Sequence, residues 1–182
     1  MRVIETTVYK FEELSDEAKD RAIEKYQSKM NVCELALTDG DCYNLMCEEA
    51  GFLNSEIEYS GFYSQGDGAS FMADIDTESF LVGKYECLKE LDFHLEIRIR
   101  RNNTYHEYSK VVVPLYVEDA IAEEHMKLIE ELSDEVEQLR VDLCHDIYRA
   151  LEIDYEYQTS NEAISETLIA NEYEFDEQGN MV

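Results

Sequence analysis

The chain has 182 residues, with 43 Asp and Glu against 15 Lys and Arg, a formal net charge of −28 and an isoelectric point near 4.2. That balance argues against a protein that grips nucleic acid through its phosphates, because releasing phosphate counterions requires cations, and it disfavours an anionic membrane surface. It does not imply disorder: 45% of residues are hydrophobic and 11% aromatic, with one Pro and seven Gly, enough apolar surface to offset ordering entropy in a single α+β domain over 1–182.

The opening MRVIETTVYKFEEL has neither an uninterrupted apolar core nor a small-residue cleavage site, and no window approaches roughly 18 apolar residues. A soluble, intracellular chain is expected. Cys33, Cys42, Cys47, Cys87 and Cys144 are odd in number and irregularly spaced, which fits reduced, buried thiols better than a disulfide framework.

In chain order, the β-branched run 2–9 predicts a first strand. Ser15 is an N-cap before a helix over about 15–30, with Asp16 and Glu17 favourable in its first turn. A shorter helix over about 40–50 ends at Gly51. Segments 55–63 and 69–76 read as strands joined around Gly66-Asp67-Gly68. Residues 77–90 are ambiguous between helix and strand. Leu91, Phe93, Leu95, Ile97 and Ile99 alternate with polar residues, the period of a half-buried strand, and 104–113 return as its partner after Asn102-Asn103. Pro114 is expected to end that run.

The longest element is a helix over about 118–151, whose apolar face steps through Ile121, His125, Leu128, Leu132, Val136, Leu139, Leu143, Ile147 and Leu151. The hexapeptide EELSDE at 12–17 recurs at 130–135, so Ser133 is a possible break. Thr159 and Glu162 have capping-box spacing before a short helix over about 160–170. Tyr173 and Phe175 suit a last strand, and 177–182 are expected to fray. The architecture is antiparallel β-hairpins packed against helices.

No GxSxG, Walker-A, HExxH or dinucleotide fingerprint is present. Asp39-Gly40-Asp41 begins like a calcium loop, but Asn44 stands where its Gly belongs and Ala50 where its closing Glu belongs. No catalytic residue, cofactor or metal is expected. The segment GFYSQGDGASF at 61–71 reads as a hairpin turn flanked by core aromatics, or as a recognition surface made by Tyr63, Gln65 and Asp67. An unfamiliar active site around those three is a further reading.

Charge placement is more informative. Between Lys29 and Lys84 there is no cation, against eleven acids. Over 118–137 nine acids face one Lys. At 1.5 Å per residue that is roughly one net charge per 3.7 Å, near the roughly 3.4 Å phosphate spacing of a DNA strand. Glu123, Glu130, Asp134 and Glu137 are expected opposite the apolar face, with Glu124, Glu131 and Glu135 on its flank. Few i,i+4 cations offset them, which reads either as a solvated face or as a docking face for a basic protein surface. Arg98, Arg100 and Arg101, with Lys110 on the return strand, group at a hairpin tip. They form either a self-satisfied patch or a candidate phosphate-contacting one.

Three segments, VYKFEELSDEAKDRA (8–22), SGFYSQGDGASF (60–71) and DYEYQTSNEAISETLIANEYEFDEQG (154–179), resemble a family of small acidic proteins of phages and prophages, some with an antitoxin-like label. In length, acidity and these motifs the chain also resembles type II anti-CRISPR proteins. That resemblance implies a non-enzymatic inhibitor of the Cas9–guide RNA complex, acting in the cytoplasm of the bacterial host. The acidic face would mimic nucleic acid and block DNA binding or cleavage, since Cas9 holds its heteroduplex in a basic channel. The alternative is an antitoxin-like or regulatory phage protein that neutralises another basic partner.

Overall fold

Alternation of Phe93, Leu95 and Ile97 with charged residues produces a strand whose inward side chains are half-buried or buried, and the sheet grows around it. In the computed structural model, which describes residues 7–30, 40–100, 105–117 and 121–182, the chain adopts an α+β fold. Its elements are β1 (Tyr9–Lys10), α1 (Asp16–Gln27), α2 (Gly40–Glu49), β2 (Phe52–Tyr59), β3 (Ala69–Ile75), β4 (Phe93–Ile99), β5 (Lys110–Tyr116), α3 (Glu123–Gln158), α4 (Asn161–Ala170) and β6 (Glu174–Phe175). They divide between two compact units, Met1–Leu37 with Ile153–Val182, and Thr38–Glu152.

In the first unit β1 pairs antiparallel with β6, Tyr9 opposite Phe175. Ser15 caps α1 as expected, its Oγ accepting from the Ala18 amide. Phe11, Leu14, Ala18, Ala22 and Ile23 bury against Ile164, Leu168 and Phe175. The expected strand over 2–9 falls largely outside the described residues; pairing is seen only from Tyr9. Ser160, not Thr159, caps α4, by accepting from the Ala163 amide at 3.2 Å. The Thr159 hydroxyl instead donates to the Tyr155 carbonyl at 2.7 Å, closing α3. Nor does the C-terminus fray: Asp176 accepts from the amides of Gln178 and Asn180, and the Val182 amide donates to the Glu174 carbonyl. Gly179, at φ +76°, makes this possible, because a Cβ there would strike the Ala18 carbonyl oxygen.

The second unit holds an antiparallel sheet in the order β2-β3-β4-β5. Gly51 ends α2 at φ +89°, as its position predicts, and β2 starts at the next residue, three before the expected position. Residues 77–90, ambiguous between helix and strand, turn out helical. They form short 3-10 helices, Thr77–Phe80 and Gly83–Leu88, that bury Leu81, Tyr85 and Leu88. The turn expected at Asn102-Asn103 lies outside the described residues. Beyond it a 3-10 turn at His106–Tyr108 delays β5 to Lys110.

Pro114 does not end the run. It pairs with Leu95 inside β5, an edge strand. The Leu95 amide donates to Thr77 Oγ1 at 3.0 Å, so no ladder bond is asked of Pro114, whose lack of an N–H is harmless on an outer edge. The helix expected over 118–151 runs over Glu123–Gln158 and does not break at Ser133, which is buried within it. Phe52, Phe71, Leu88, Ile129, Ile147 and Leu151 are among the fully buried residues of this unit.

Candidate functional site

Helix α3 presents two charged surfaces. Glu123, Glu130 and Asp134 follow i, i+7, i+11 spacing, and Glu124, Glu131 and Glu135 repeat it one residue on, so six carboxylates form two adjoining exposed stripes. Lys127 pairs with Glu123 at 3.1 Å, and Lys84 reaches Glu131 at 3.2 Å and Glu135 at 3.0 Å. These pairs are solvent-exposed, and such pairs contribute little. Among the described residues no cation pairs with Glu124, Glu130 or Asp134. Lys84 is the contribution that the local sequence hides, since it comes from a segment almost fifty residues earlier.

Glu137 departs from this face. It shares the inward side of α3 with Ser133, Arg140 and Cys144, and is only 20% exposed. Arg140, fully buried, holds both of its carboxylate oxygens through Nε and Nη2, each at 2.9 Å. Nη2 also donates to the carbonyls of Glu107 (2.6 Å) and Lys110 (3.0 Å). Burial works against the Arg140 charge, yet Glu137 more than offsets it, so its pKa lies above the ordinary guanidinium value.

These inward groups seal the open edge of β5. The Val112 amide donates to Glu137 at 2.9 Å, and Ser133 Oγ lies 3.4 Å from the Val112 carbonyl that it donates to. Ser133, Glu137 and Arg140 thus occupy backbone groups that an edge strand otherwise offers to another chain. Close by, Lys110 is 3% exposed rather than part of a surface patch. Its Nζ donates to Glu58 at 2.5 Å and to Ser70 at 2.9 Å. That hydrogen bond pulls the Glu58 carboxyl below its usual range. Of the grouped arginines, Arg98 pairs with Glu96, Arg100 is exposed, and Arg101 lies outside the described residues. Lys110 is therefore no part of an exposed patch with Arg98 and Arg100.

The loop 60–68 is held from within. Asp67 Oδ2 accepts from the amides of Ser64 (2.6 Å) and Tyr63 (2.9 Å), and the Ser64 bond leads in lowering the Asp67 pKa. Ser60 Oγ accepts from the Gly68 amide, and Tyr148 on α3 donates to the Gly61 carbonyl at 3.0 Å while its ring stacks on Phe62. Gly61 and Gly68 face Asp67 and Glu107, where a Cβ at Gly68 would come within 2.9 Å of Glu107 Oε2. The motif thereby explains itself structurally: Asp67 is engaged in its own loop, whereas Tyr63 (79% exposed) and Gln65 point to solvent.

Cys47 and Cys144 are buried, with burial pushing the Cys144 thiol up to about 11, but Cys42 and Cys87 are exposed, against the expectation of buried thiols. Cys33 lies outside the described residues, as does Asp39. Among the described residues no group of His, Cys, Asp and Glu is placed to hold a metal ion, and no helix is long and apolar enough to cross a membrane.

A family model described as a domain of unknown function (DUF8835) matches residues 19–161. The chain belongs to the DUF8835 family. The matched span takes in the loop 60–68, the sealed edge of β5 and both charged surfaces of α3, so these are features of the DUF8835 region itself. No curated protein and no solved structure matches the chain.

Proposed function

We propose that the chain is a non-enzymatic binding protein that docks a basic protein surface on the exposed acidic face of α3. Following the resemblance carried by the motif at 60–71, we take that surface to belong to the Cas9–guide RNA complex, whose DNA binding or cleavage is blocked. The observation that supports docking is the state of six exposed carboxylates, Glu123, Glu124, Glu130, Glu131, Asp134 and Glu135, which share two described cations, Lys84 and Lys127. Surface acids kept in two adjoining stripes repel one another, and a cationic partner relieves that repulsion while steering encounter.

The test is Cas9 cleavage of target DNA with the purified chain and with a variant combining Glu124→Gln, Glu130→Gln and Asp134→Asn. Glu137 is left intact, because it holds Arg140. Wild-type inhibition that weakens at least tenfold in the variant, and that fades as salt rises, is expected. Unchanged inhibition by the variant removes the acidic face from the mechanism. No inhibition at low salt removes Cas9. Co-purification of a different basic protein with wild type, lost in the variant, then assigns the face to the antitoxin-like or regulatory reading.

A further inference from the structure

A groove of about 420 Å³ lies between the 3-10 segments after Thr77 and α3. Phe80, Leu132, Val136 and Leu139 make it apolar, Val82 stands 63% exposed beside them, and Lys84 and Glu135 line the same groove. Tyr85 also lines it and is 5% exposed. Its hydroxyl is buried beside Lys84 and Glu135, and the Lys84 ammonium lies 4.7 Å from the centre of its ring.

We propose that this groove anchors the docking face by taking one apolar or aromatic side chain of a basic partner segment, with Lys or Arg on either side of it. The proposal rests on reading α3 as a docking surface and adds the chemistry of what docks. Charge complementarity selects the occupant. Glu131 and Glu135 share the single ammonium of Lys84, while Asp134 and Glu130, on the neighbouring stripe of the helix, have no cation among the described residues. A segment with flanking cations meets unpaired carboxylates, whereas a second copy of this acidic chain would bring like charge to like. The Lys84 pairs, both exposed, are weak enough to yield to incoming guanidinium groups. An apolar anchor in a pocket with a charged rim is how small interfaces concentrate their affinity.

The test titrates the full chain, labelled at Leu and Val methyls, with three tripeptide amides: acetyl-Arg-Phe-Arg, acetyl-Arg-Ala-Arg and acetyl-Glu-Phe-Glu. The first should shift the methyl signals of Val82, Val136 and Leu139 and bind at least about fivefold more tightly than either of the others. Val82→Glu, a change at an exposed position, should abolish those shifts. Equal binding of all three peptides, or shifts confined to other methyls, would overturn the proposal. If the peptides fail while the acidic-face variant still loses Cas9 inhibition, the groove falls and the functional reading stands. If the peptides bind as expected and Cas9 is unaffected, the groove stands and that partner falls.

Discussion

Arg140 and Asp134 lie less than two turns apart on α3, in opposite electrostatic circumstances. Arg140 is fully buried and donates to Glu137, Glu107 and Lys110, while Asp134 stands in water with no described cation beside it. The inner charges obey a strict requirement, since a charge taken out of water must be paired and hydrogen-bonded. The outer charges are under no such requirement. With so few cations in the chain, placing Arg140 and Lys110 inside leaves still fewer for the surface, which deepens the acidity of the exposed face. The same helix thus seals a sheet edge on one side and offers unpaired carboxylates on the other.

Breaking the inner side should give the largest effect. Arg140→Met leaves the Glu137 carboxylate half-buried without its cation and strips two backbone carbonyls of their donor, so a loss of about 3–5 kcal/mol is expected from urea unfolding. Glu137→Gln should cost a similar amount: the amide still accepts from Val112, but the fully buried Arg140 loses its counter-charge. A gain in stability from either change would mean that the pair is not the closure of the β5 edge. Next in size is Lys110→Met, with a loss of about 1–3 kcal/mol as Ser70 and Glu58 lose their donor. Since Glu58 is held below its usual pKa by Lys110, that pair's contribution is fully present above the ordinary Glu value of about 4.3 and is lost as pH falls through the lowered one. In Lys110→Met this acid-side component of the stability profile should disappear.

How much of this was legible depends on whether the deciding contact is local. The cap at Ser15, the stop at Gly51 and the alternation of Phe93, Leu95 and Ile97 are set by neighbours a few residues away, and each was readable in the sequence. The resulting α+β hairpins-and-helices architecture followed from them. Pro114 misled because a proline's effect depends on whether its strand lies at an edge, which local sequence does not state. Glu137 sits on the border between the exposed and buried sides of α3, and only Arg140 and the Val112 amide, the latter 25 residues away, draw it inward. Lys110 looked like a surface cation for the same reason: its partners Glu58 and Ser70 lie on other strands. Thr159 and Ser160 are both competent caps, and the choice fell to the one whose neighbour was free to close α3. In the candidate site, the two stripes of acids were legible from i, i+7, i+11 spacing, whereas the groove with Tyr85 was not, because residues 77–90 carry no regular period.

Asp67 gives a smaller, local test of the same contrast, since one oxygen of its exposed carboxylate accepts from two amides of its own loop. The Ser64 amide foremost lowers its pKa, so loop order is present above the ordinary Asp value of about 3.9 and is lost as pH falls through the lowered one. Asp67→Asn should speed amide exchange at Tyr63 and Ser64 at neutral pH and remove their acid sensitivity. Exchange unchanged by the substitution would show the loop to be held by Ser60, Phe62 and Tyr148 alone.

The smallest effect on folding is expected on the outer face, and it sharpens the comparison most. Glu130→Gln with Asp134→Asn removes two charges that no described cation offsets, so the free chain should lose nothing and its Tm should rise by about 1–3 °C at low salt. Added salt screens exposed charges over about 8–10 Å at moderate ionic strength, so it should raise the wild-type Tm and shrink the gap between the two proteins. The inner variants should keep their deficits at every salt concentration, because buried pairs are screened far less. A fall in Tm for the outer variant would mean that these carboxylates support the fold through contacts outside the described residues, and the case for a docking face would lose its premise. Stability gained by neutralising them, together with binding lost, is the signature of acids retained for a partner.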